Sequence, residues 1–148
     1  MTTLLNRVFS NSTGFVQFAA LPYRRHGSAM SICLVTSRGT GRLIIPKGWP
    51  ERGKAPHKIA AKEAFEEAGL KGEIGKQPIG AFKYRKGLHW FASATCRVDV
   101  YPLLVTEEYE DWPESKQRER IWYGAKGAAN AVREPELAKL IQRFSESR

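Results

Sequence analysis

Three glutamates lie within five positions of a chain whose formal net charge is +9: Glu63, Glu66 and Glu67. Because residues three and four apart share one face of a helix, a helix here would point the three carboxylates in one direction. Four side chains with the same spacing lie on roughly the opposite side, where they can pack against a sheet. They are Ala61, Ala64, Phe65 and Ala68. A solvated helix face and a cation site both fit this pattern.

A loop rich in glycine and proline, residues 47–56, precedes the glutamates and reads KGWPERGKAP. Glycine lets backbone carbonyl groups approach the point where the carboxylates would converge, and hard oxygen ligands of this kind suit Mg²⁺ or Mn²⁺. Such ions take few protein oxygens and complete their shells with water and substrate phosphate. The loop and the glutamates together therefore favour phosphate chemistry over a solvated face.

The helix that would carry the glutamates is predicted from Pro56, which suits a first helical turn, to Ala68. Gly69 stands where a left-handed cap belongs. Strands are expected before the helix over residues 15–21 and 29–37, with a short one in LIIP, residues 43–46. These apolar segments would form the sheet on which the helix packs.

After the helix, two long strands are expected over residues 72–86 and 89–108, joined as a hairpin at RKGL, residues 85–88. A polar loop over residues 108–120 and a short strand, IWY, follow. The tail from residue 124 shows two helical patterns separated near Glu134 and Pro135. We predict an α/β protein with one domain over residues 1–148.

Composition narrows the class of protein and its partners. Hydrophobic residues at 42% and charged residues at 26% are typical of a globular chain, and no apolar run approaches the ~20 residues of a membrane span. We expect a cytoplasmic protein with no membrane partner and with Cys33 and Cys96 as buried thiols in strands. The positive charge favours polyanionic partners, either phosphorylated small molecules or RNA.

The segment from Gly48 to Leu70, GWPERGKAPHKIAAKEAFEEAGL, resembles the Nudix box, G-x5-E-x7-R-E-U-x-E-E-x-G-U with U an apolar residue. Seven residues match in register: Gly48, Glu63, Ala64, Glu66, Glu67, Gly69 and Leu70. The flanking segments, TSRGTGRLIIPKGWP and LLVTEEYEDWPESKQRERIWY, are similar to the diphosphoinositol polyphosphate phosphohydrolase branch. The resemblance implies a Nudix-type α/β/α sandwich whose mixed sheet lies between the box helix and the C-terminal helices.

Two positions depart from the box. Its early glutamate is Lys54 here and its arginine is Lys62, so the ion pair that braces the loop against the helix in the family is replaced by two cations. These lysines must be solvated or find another partner, for which Glu51 is a candidate. The three box glutamates remain in place.

The resemblance implies hydrolysis of a phosphoanhydride bond by water attack at phosphorus, with Mg²⁺ or Mn²⁺ as cofactor. Glu63 and Glu67 would be the main metal ligands, assisted by the backbone carbonyl of Lys47 or Gly48. Glu66 would orient or deprotonate the water, or join the metal set, so Glu66 and Glu67 are the catalytic candidates. Five cations are the predicted substrate-binding residues: Arg38, Arg42, Lys47, Arg85 and Lys86.

The polar loop offers a second group of carboxylates that could swing over the site, or a solvated acidic turn. Its members are Glu107, Glu108, Glu110 and Asp111. Trp49 is placed to stack on a base or cap the pocket, whereas packing roles are expected of the other three tryptophans. These are Trp90, Trp112 and Trp122.

Three functions remain open at this point. The favoured one is hydrolysis of a dinucleoside polyphosphate or a diphosphoinositol polyphosphate. A module that binds a phosphorylated ligand without cleaving it is suggested by Lys54 and Lys62. An RNA 5′-end pyrophosphohydrolase is suggested by the net charge and the aromatic residues, since RNA is bound by basic grooves and stacking rings.

Overall fold

Eight strands and three helices form the part of the chain that the computed structural model describes, residues 15–89 and 92–147. In chain order they are β1 (Phe15–His26), β2 (Ala29–Thr36), β3 (Leu43–Ile44), β4 (Lys47–Gly48), α1 (Pro56–Ala68), β5 (Leu70–Ile74), β6 (Gly80–His89), β7 (Ala92–Glu108), β8 (Arg120–Gly124), α2 (Ala125–Ala131) and α3 (Pro135–Ser147).

The sheet is mixed, as expected, because its two central strands run parallel. β1 pairs with β7 from Phe15 opposite Cys96 to Tyr23 opposite Leu104. The main path of the sheet is β3-β2-β1-β7-β5, with β4 on β1, β6 on β7 and β8 on β2, and these other pairings are antiparallel. β1 and β7 therefore form the frame to which both ends of the candidate site are attached.

Alternating side chains bury both faces of this sheet. On one face, residues such as Leu21 and Ile32 pack with Leu140 and Phe144 of α3. On the other face, Ala60, Ala64 and Ala68 of α1 pack in a second cluster with neighbours of those same strand residues. Because successive strand residues point to opposite faces, one sheet serves two helical layers. The predicted α/β/α sandwich is confirmed.

Helix α1 has the predicted bounds, with Pro56 at its first positions and Gly69 as its cap. Gly69 adopts φ 67° and ψ 32°, and its backbone N–H donates to the carbonyls of Ala64 and Phe65. Glycine is favoured here because this left-handed conformation crowds a Cβ atom. The helix carrying the glutamates is thus defined at both ends by residues that the sequence marks.

The predicted hairpin is wrong in two details. The strand expected over residues 72–86 is broken, since β5 ends at Ile74, β6 begins at Gly80, and the two pair with different parts of β7. Pro78 lies in the intervening segment and has no N–H to contribute to a ladder. The expected turn at residues 85–88 is part of β6, because Arg85 and Lys86 still pair with β7. Residues 90 and 91 lie outside the described residues.

A further boundary differs from expectation. The predicted loop over residues 47–56 begins with β4, whose Lys47 and Gly48 pair with Ala19 and Phe18 of β1. The two helices of the tail are confirmed, with α2 ending before Glu134 and α3 beginning at Pro135. Among the described residues, no helix has the length and apolar character that crossing a bilayer requires.

Both cysteines are buried, as predicted, at relative exposures of 0%. Burial raises the pKa of Cys33 to about 12 and also raises the pKa of Cys96. We therefore expect a thiol reagent at about pH 8 to label the native chain at less than about a tenth of its rate with the unfolded chain, because the thiolate is the reactive form. Rapid labelling of both thiols before unfolding would contradict the buried placement.

Candidate active site

The carboxyl groups of Glu63 and Glu67 meet on the α1 face of the sheet. Glu67 is buried, at 6% exposure, and Glu63 is half-buried. Burial raises the pKa of Glu67 to about 8, the charge of Arg118 opposes that rise, and the hydrogen bond with Glu63 adds to it. Burial also raises the pKa of Glu63. At neutral pH a proton between the two oxygens is therefore favoured when no cation is bound.

Gly48 of β4 lies directly against Glu63. A Cβ atom added at Gly48 would lie 2.6 Å from both Cγ and Cδ of Glu63, closer than real side chains approach. The register that pairs Gly48 with Phe18 of β1 therefore brings the loop backbone to the carboxylate. This contact explains why the residue is glycine although its φ is not positive.

Glu66 is half-exposed, and its charge adds to the raised pKa of Glu63 without the side chain joining the carboxyl pair. Its nearest ionic partner is Lys62, at 3.9 Å from Nζ to Oε2. Within residues 15–89 and 92–147, no group of three or more histidine, cysteine, aspartate or glutamate side chains is gathered closely enough to hold a metal ion. The structure thus brings two of the three predicted carboxylates together, while Glu66 stands at the rim.

Glu51 takes the place of the missing family ion pair. Its carboxylate accepts from Lys62 Nζ at 2.7 Å and lies 3.6 Å from Lys54 Nζ. The hydrogen bond from Lys62 lowers the pKa of Glu51 and raises that of Lys62. The loop remains tied to α1 by a carboxylate on the loop and an ammonium group on the helix, so Glu51 compensates for both departures from the box.

Arg118 is a buried cation beside the carboxyl pair that the sequence did not single out. Its Nη2 lies 3.8 Å from Oε1 of Glu67, its Nε 2.6 Å from Oε1 of Glu114, and its Nη1 donates to the carbonyl of Thr36 at 3.0 Å. The charge of Glu114 also contributes to the raised pKa of Glu63. Arg118 and Glu114 therefore belong to the site, and their only sequence signal was the basic segment after EDW.

The predicted second carboxylate group does not face the pair. Glu108 accepts from Trp122 Nε1 at 2.9 Å and forms ion pairs with Arg24 and Arg120 at 2.7 and 3.0 Å. Glu107 accepts from the hydroxyl of Tyr109, Asp111 accepts from that of Ser115, and Glu110 is exposed. Within this loop it is Glu114, rather than the predicted four, that has direct polar contact with the site.

Three of the predicted substrate-binding cations gather on the α3 face of the sheet. Lys47 Nζ lies 5.3 Å from the ring centroid of Tyr84, and Lys86 Nζ lies 5.3 Å from that of Trp49. Burial lowers the pKa of Lys47, which the charges of Glu67 and Glu134 oppose. Arg42 Nη1 lies 3.4 Å from Oε2 of Glu134.

The other two predicted cations lie apart from this group. Arg38 is in the exposed turn after β2, where its Nη1 donates to the side chain of Gln117 at 3.5 Å. Arg85 is exposed on β6, on the opposite side of that strand from Tyr84 and Lys86. Of the three tryptophans predicted to pack, Trp112 donates its indole N–H to the carbonyl of Glu67 and Trp122 donates to the side chain of Glu108. Trp90 lies outside the described residues.

Two relatives match this chain over most of their length. Diphosphoinositol polyphosphate phosphohydrolase 2 of Rattus norvegicus is 33% identical over 136 residues, which cover 88% of this chain and 72% of that protein. Nudix hydrolase 18, mitochondrial, of Arabidopsis thaliana is 30% identical over 139 residues, covering 84% and 75%. This chain belongs to the Nudix hydrolase family. The predicted family is confirmed, the prediction of a hydrolase agrees with the names of these relatives, and Nudix hydrolases generally use divalent metal ions.

A longer relative and a solved structure also resemble this chain. Nudix hydrolase 12, mitochondrial, of Arabidopsis thaliana is 33% identical over 118 residues, covering 78% of this chain and 58% of that longer protein. The crystal structure of an Ap4A hydrolase from C. elegans superposes with a TM-score of 0.62 at 16% identity, over 90% of this chain and 98% of that one, which shows the shared fold. No protein-family model matches the chain.

We predict that replacing Glu67 with glutamine changes the pH dependence of stability in chelator. The pKa of Glu67 is about 8 in the folded chain, against an ordinary value of 4.5. Its contribution to the free energy of unfolding is therefore fully present below about pH 4.5 and is lost as the pH rises to about 8. Glutamine stays neutral, so the Tm of E67Q relative to that of wild type should rise by roughly 10 °C or more between these pH values, since one pKa unit is about 1.4 kcal/mol and 1 kcal/mol is about 2–4 °C for a chain of this size. E110Q, at an exposed carboxylate, is the control. A constant difference for E67Q across this range would contradict the burial of the charge.

We predict that Gly48→Ala weakens metal binding without unfolding the chain. The new methyl group must displace the Glu63 side chain, so affinity for Mn²⁺ should fall by about tenfold or more, as for other changes that disturb ligand orientation. Gly124→Ala is the control, because a Cβ atom there meets nothing within 4 Å. Electron paramagnetic resonance of free Mn²⁺ measures the affinity, and equal affinities in the two variants would refute the role of Gly48.

Proposed function

We propose that this chain is a divalent-metal-dependent hydrolase that splits a phosphoanhydride bond in a densely phosphorylated small molecule. The observation that carries the proposal is the enclosed pair of Glu63 and Glu67, held between the backbone of Gly48 and the guanidinium group of Arg118. Buried carboxyl groups are costly unless a proton or a cation neutralises them. Two such groups at one point are a donor set for a cation.

The donor chemistry fits Mg²⁺ or Mn²⁺. The side chains of Glu63 and Glu67 would hold the ion, with the carbonyl of Lys47 or Gly48 as the further protein oxygen. When bound, such an ion neutralises charge on phosphate oxygens and lowers the pKa of its water. The short list of protein ligands agrees with the preference of Mg²⁺ for retaining several waters and substrate oxygens.

The remaining steps fall to the side chains around the pair. Glu66 keeps a half-exposed carboxylate at the rim, beside the pair, where it can accept a proton from the attacking water. Arg118 already carries a positive charge beside Glu67 and can stabilise the negative charge that develops on the phosphoryl oxygens. Glu114 holds Arg118 in that position through its 2.6 Å ion pair.

The cation group on the α3 face indicates which part of the substrate is recognised. Lys47 and Lys86 each place an ammonium group over one face of an aromatic ring, Tyr84 and Trp49 respectively. Those ring faces are therefore occupied by cations that attract phosphate, rather than open for stacking on a base. We propose that phosphate groups are bound here by Arg42, Lys47 and Lys86, with Arg38 and Arg85 as outer contacts.

Two substrate classes follow, both taken from the names of the relatives. One relative is named a diphosphoinositol polyphosphate phosphohydrolase, and a protein of similar fold is an Ap4A hydrolase. Recognition by phosphate rather than by base favours a diphosphoinositol polyphosphate, and a dinucleoside polyphosphate is the second candidate. A cytoplasmic location and a single domain over residues 1–148 remain predictions.

The test is a product assay with purified chain, run with Mg²⁺, with Mn²⁺ and with chelator. The panel contains diphosphoinositol polyphosphates, dinucleoside polyphosphates, nucleotide sugars and RNA with a 5′-triphosphate. We expect cleavage of the first class only with metal, and a loss of at least about a thousandfold in kcat for E67Q, because both metal affinity and charge placement are lost. E110Q is the matched control, an exposed glutamate in the same loop as Glu114.

The other outcomes identify the alternatives. Metal-independent cleavage, or full activity of E67Q, would overturn the proposal. Tight binding of a polyphosphate with no product from any substrate would favour a binding module. Cleavage confined to RNA, with strong salt dependence, would favour the RNA 5′-end pyrophosphohydrolase.

A further inference from the structure

The last turn of α1 carries Glu66 and Glu67, and the ends of a helix are the parts most prone to fraying. The final carbonyl groups of a helix have no partners within the helix, so this turn frays unless other groups donate to them. A metal site needs its ligands held within about 0.5 Å, and fraying at Glu67 would exceed that tolerance. Something outside α1 must therefore hold its C-terminal turn.

A single segment of the chain, residues 109–120, supplies donors to four successive carbonyl groups at this end. Glu114 N donates to Glu66 O at 3.1 Å, Trp112 Nε1 to Glu67 O at 2.9 Å, Arg120 Nη1 to Ala68 O at 2.8 Å and Tyr109 N to Gly69 O at 2.9 Å. We call this segment the carbonyl clamp. Two of its four donors are side chains, so the clamp depends on residue identity and can be tested by substitution.

Trp112 occupies the central position of the carbonyl clamp. The guanidinium group of Arg120 lies 4.3 Å from its ring centroid, and Gly69 admits the ring because a Cβ atom there would lie 2.7 Å from Trp112 Cδ2. Arg120 is held in turn by the carbonyl of Tyr109 at 2.7 Å and by Glu108 at 3.0 Å. The indole N–H is thus fixed from both sides toward one acceptor, the carbonyl of Glu67.

We infer that Trp112 is a positioning residue of the active site, whose indole N–H fixes the backbone of Glu67 and so places its carboxyl group beside Glu63. The inference rests on the proposed metal site. The same segment delivers Arg118 and Glu114 to the carboxyl pair, so the hydrogen bond also sets the distance between that cation and Glu67. No motif or regular spacing in the sequence indicates this role, since the indole reaches α1 from 45 positions along the chain.

The chain contains a matched control for this hydrogen bond. Trp122 also donates its indole N–H at 2.9 Å and also lies under a guanidinium group, that of Arg24, at 4.3 Å from the ring centroid. Its acceptor is the side chain of Glu108 rather than a carbonyl of α1. Trp122→Phe therefore removes an indole hydrogen bond of the same kind, which ends on Glu108, the partner of Arg120, and it leaves all four donors to the α1 carbonyl groups in place.

The experiment compares Trp112→Phe and Trp122→Phe for Mn²⁺ affinity, amide hydrogen exchange and Tm. We expect Trp112→Phe to weaken Mn²⁺ binding by about tenfold, in the range seen for residues that orient metal ligands, and to speed exchange in the last turn of α1. Trp122→Phe should bind Mn²⁺ with an affinity within about twofold of that of wild type, even if its Tm decreases as much as the Tm of Trp112→Phe.

A second variant separates the hydrogen bond from the shape of the ring. Benzothienylalanine at position 112 keeps the bicyclic ring but replaces the N–H with sulfur, so it should fold like wild type and still lose Mn²⁺ affinity. Wild-type affinity in this variant, or an equal loss in Trp122→Phe, would overturn the inference. Absence of Mn²⁺ binding by wild type would instead overturn the proposed function on which the inference rests.

Discussion

A carboxyl group that the protein encloses has to be neutralised by a proton, a cationic side chain or a metal ion. Glu67 is in that position, because α1 turns it toward the sheet while Glu63 approaches it from the preceding turn. The raised pKa values of Glu67 and Glu63 favour a proton shared between them, and the guanidinium group of Arg118 lies 3.8 Å from Glu67. A divalent ion can replace the proton and neutralise both carboxylates. The residues around the pair then serve to hold the carboxylate oxygens in position for that ion.

Two other parts of the chain hold the pair at positions one helical turn apart. Gly48, in a short strand paired with β1, lies against Glu63, and the carbonyl clamp closes the C-terminal turn beneath Glu67. Both attachments lead back to the parallel pair β1 and β7, since β4 pairs with β1 and the clamp follows β7 directly. The position of two oxygens is thus set by strands at the centre of the sheet, where local motion is smallest.

Much of this arrangement could be predicted from sequence because its determinants are local. Pro56 and Gly69 mark the bounds of α1, and Glu51 is a near neighbour of Lys54 and Lys62, so the compensating ion pairs could be anticipated. Helical spacing also places Glu63, Glu66 and Glu67 near one another. It does not say which flank the sheet covers, and for that reason the burial of Glu67 and the greater exposure of Glu66 emerge only from the packing.

The rest could not be predicted, because it depends on contacts between distant segments with no periodic pattern. Arg118 and Glu114 lie in an irregular stretch, and they reach Glu67 only because backbone and indole groups of that stretch bind the end of α1. The break between β5 and β6 likewise arises from their pairing with different parts of β7. Residues that act through backbone carbonyls leave little trace in composition or spacing.

The central claim is that Glu63 and Glu67 together hold a divalent ion. Anomalous diffraction from crystals of the chain soaked in Mn²⁺ measures this most directly, since it locates the ion without reference to activity. The account predicts an anomalous peak within coordination distance of a carboxylate oxygen of each residue, about 2.0–2.3 Å for an oxygen ligand of such an ion. A crystal that takes up Mn²⁺ elsewhere and shows no peak between these two side chains would contradict it.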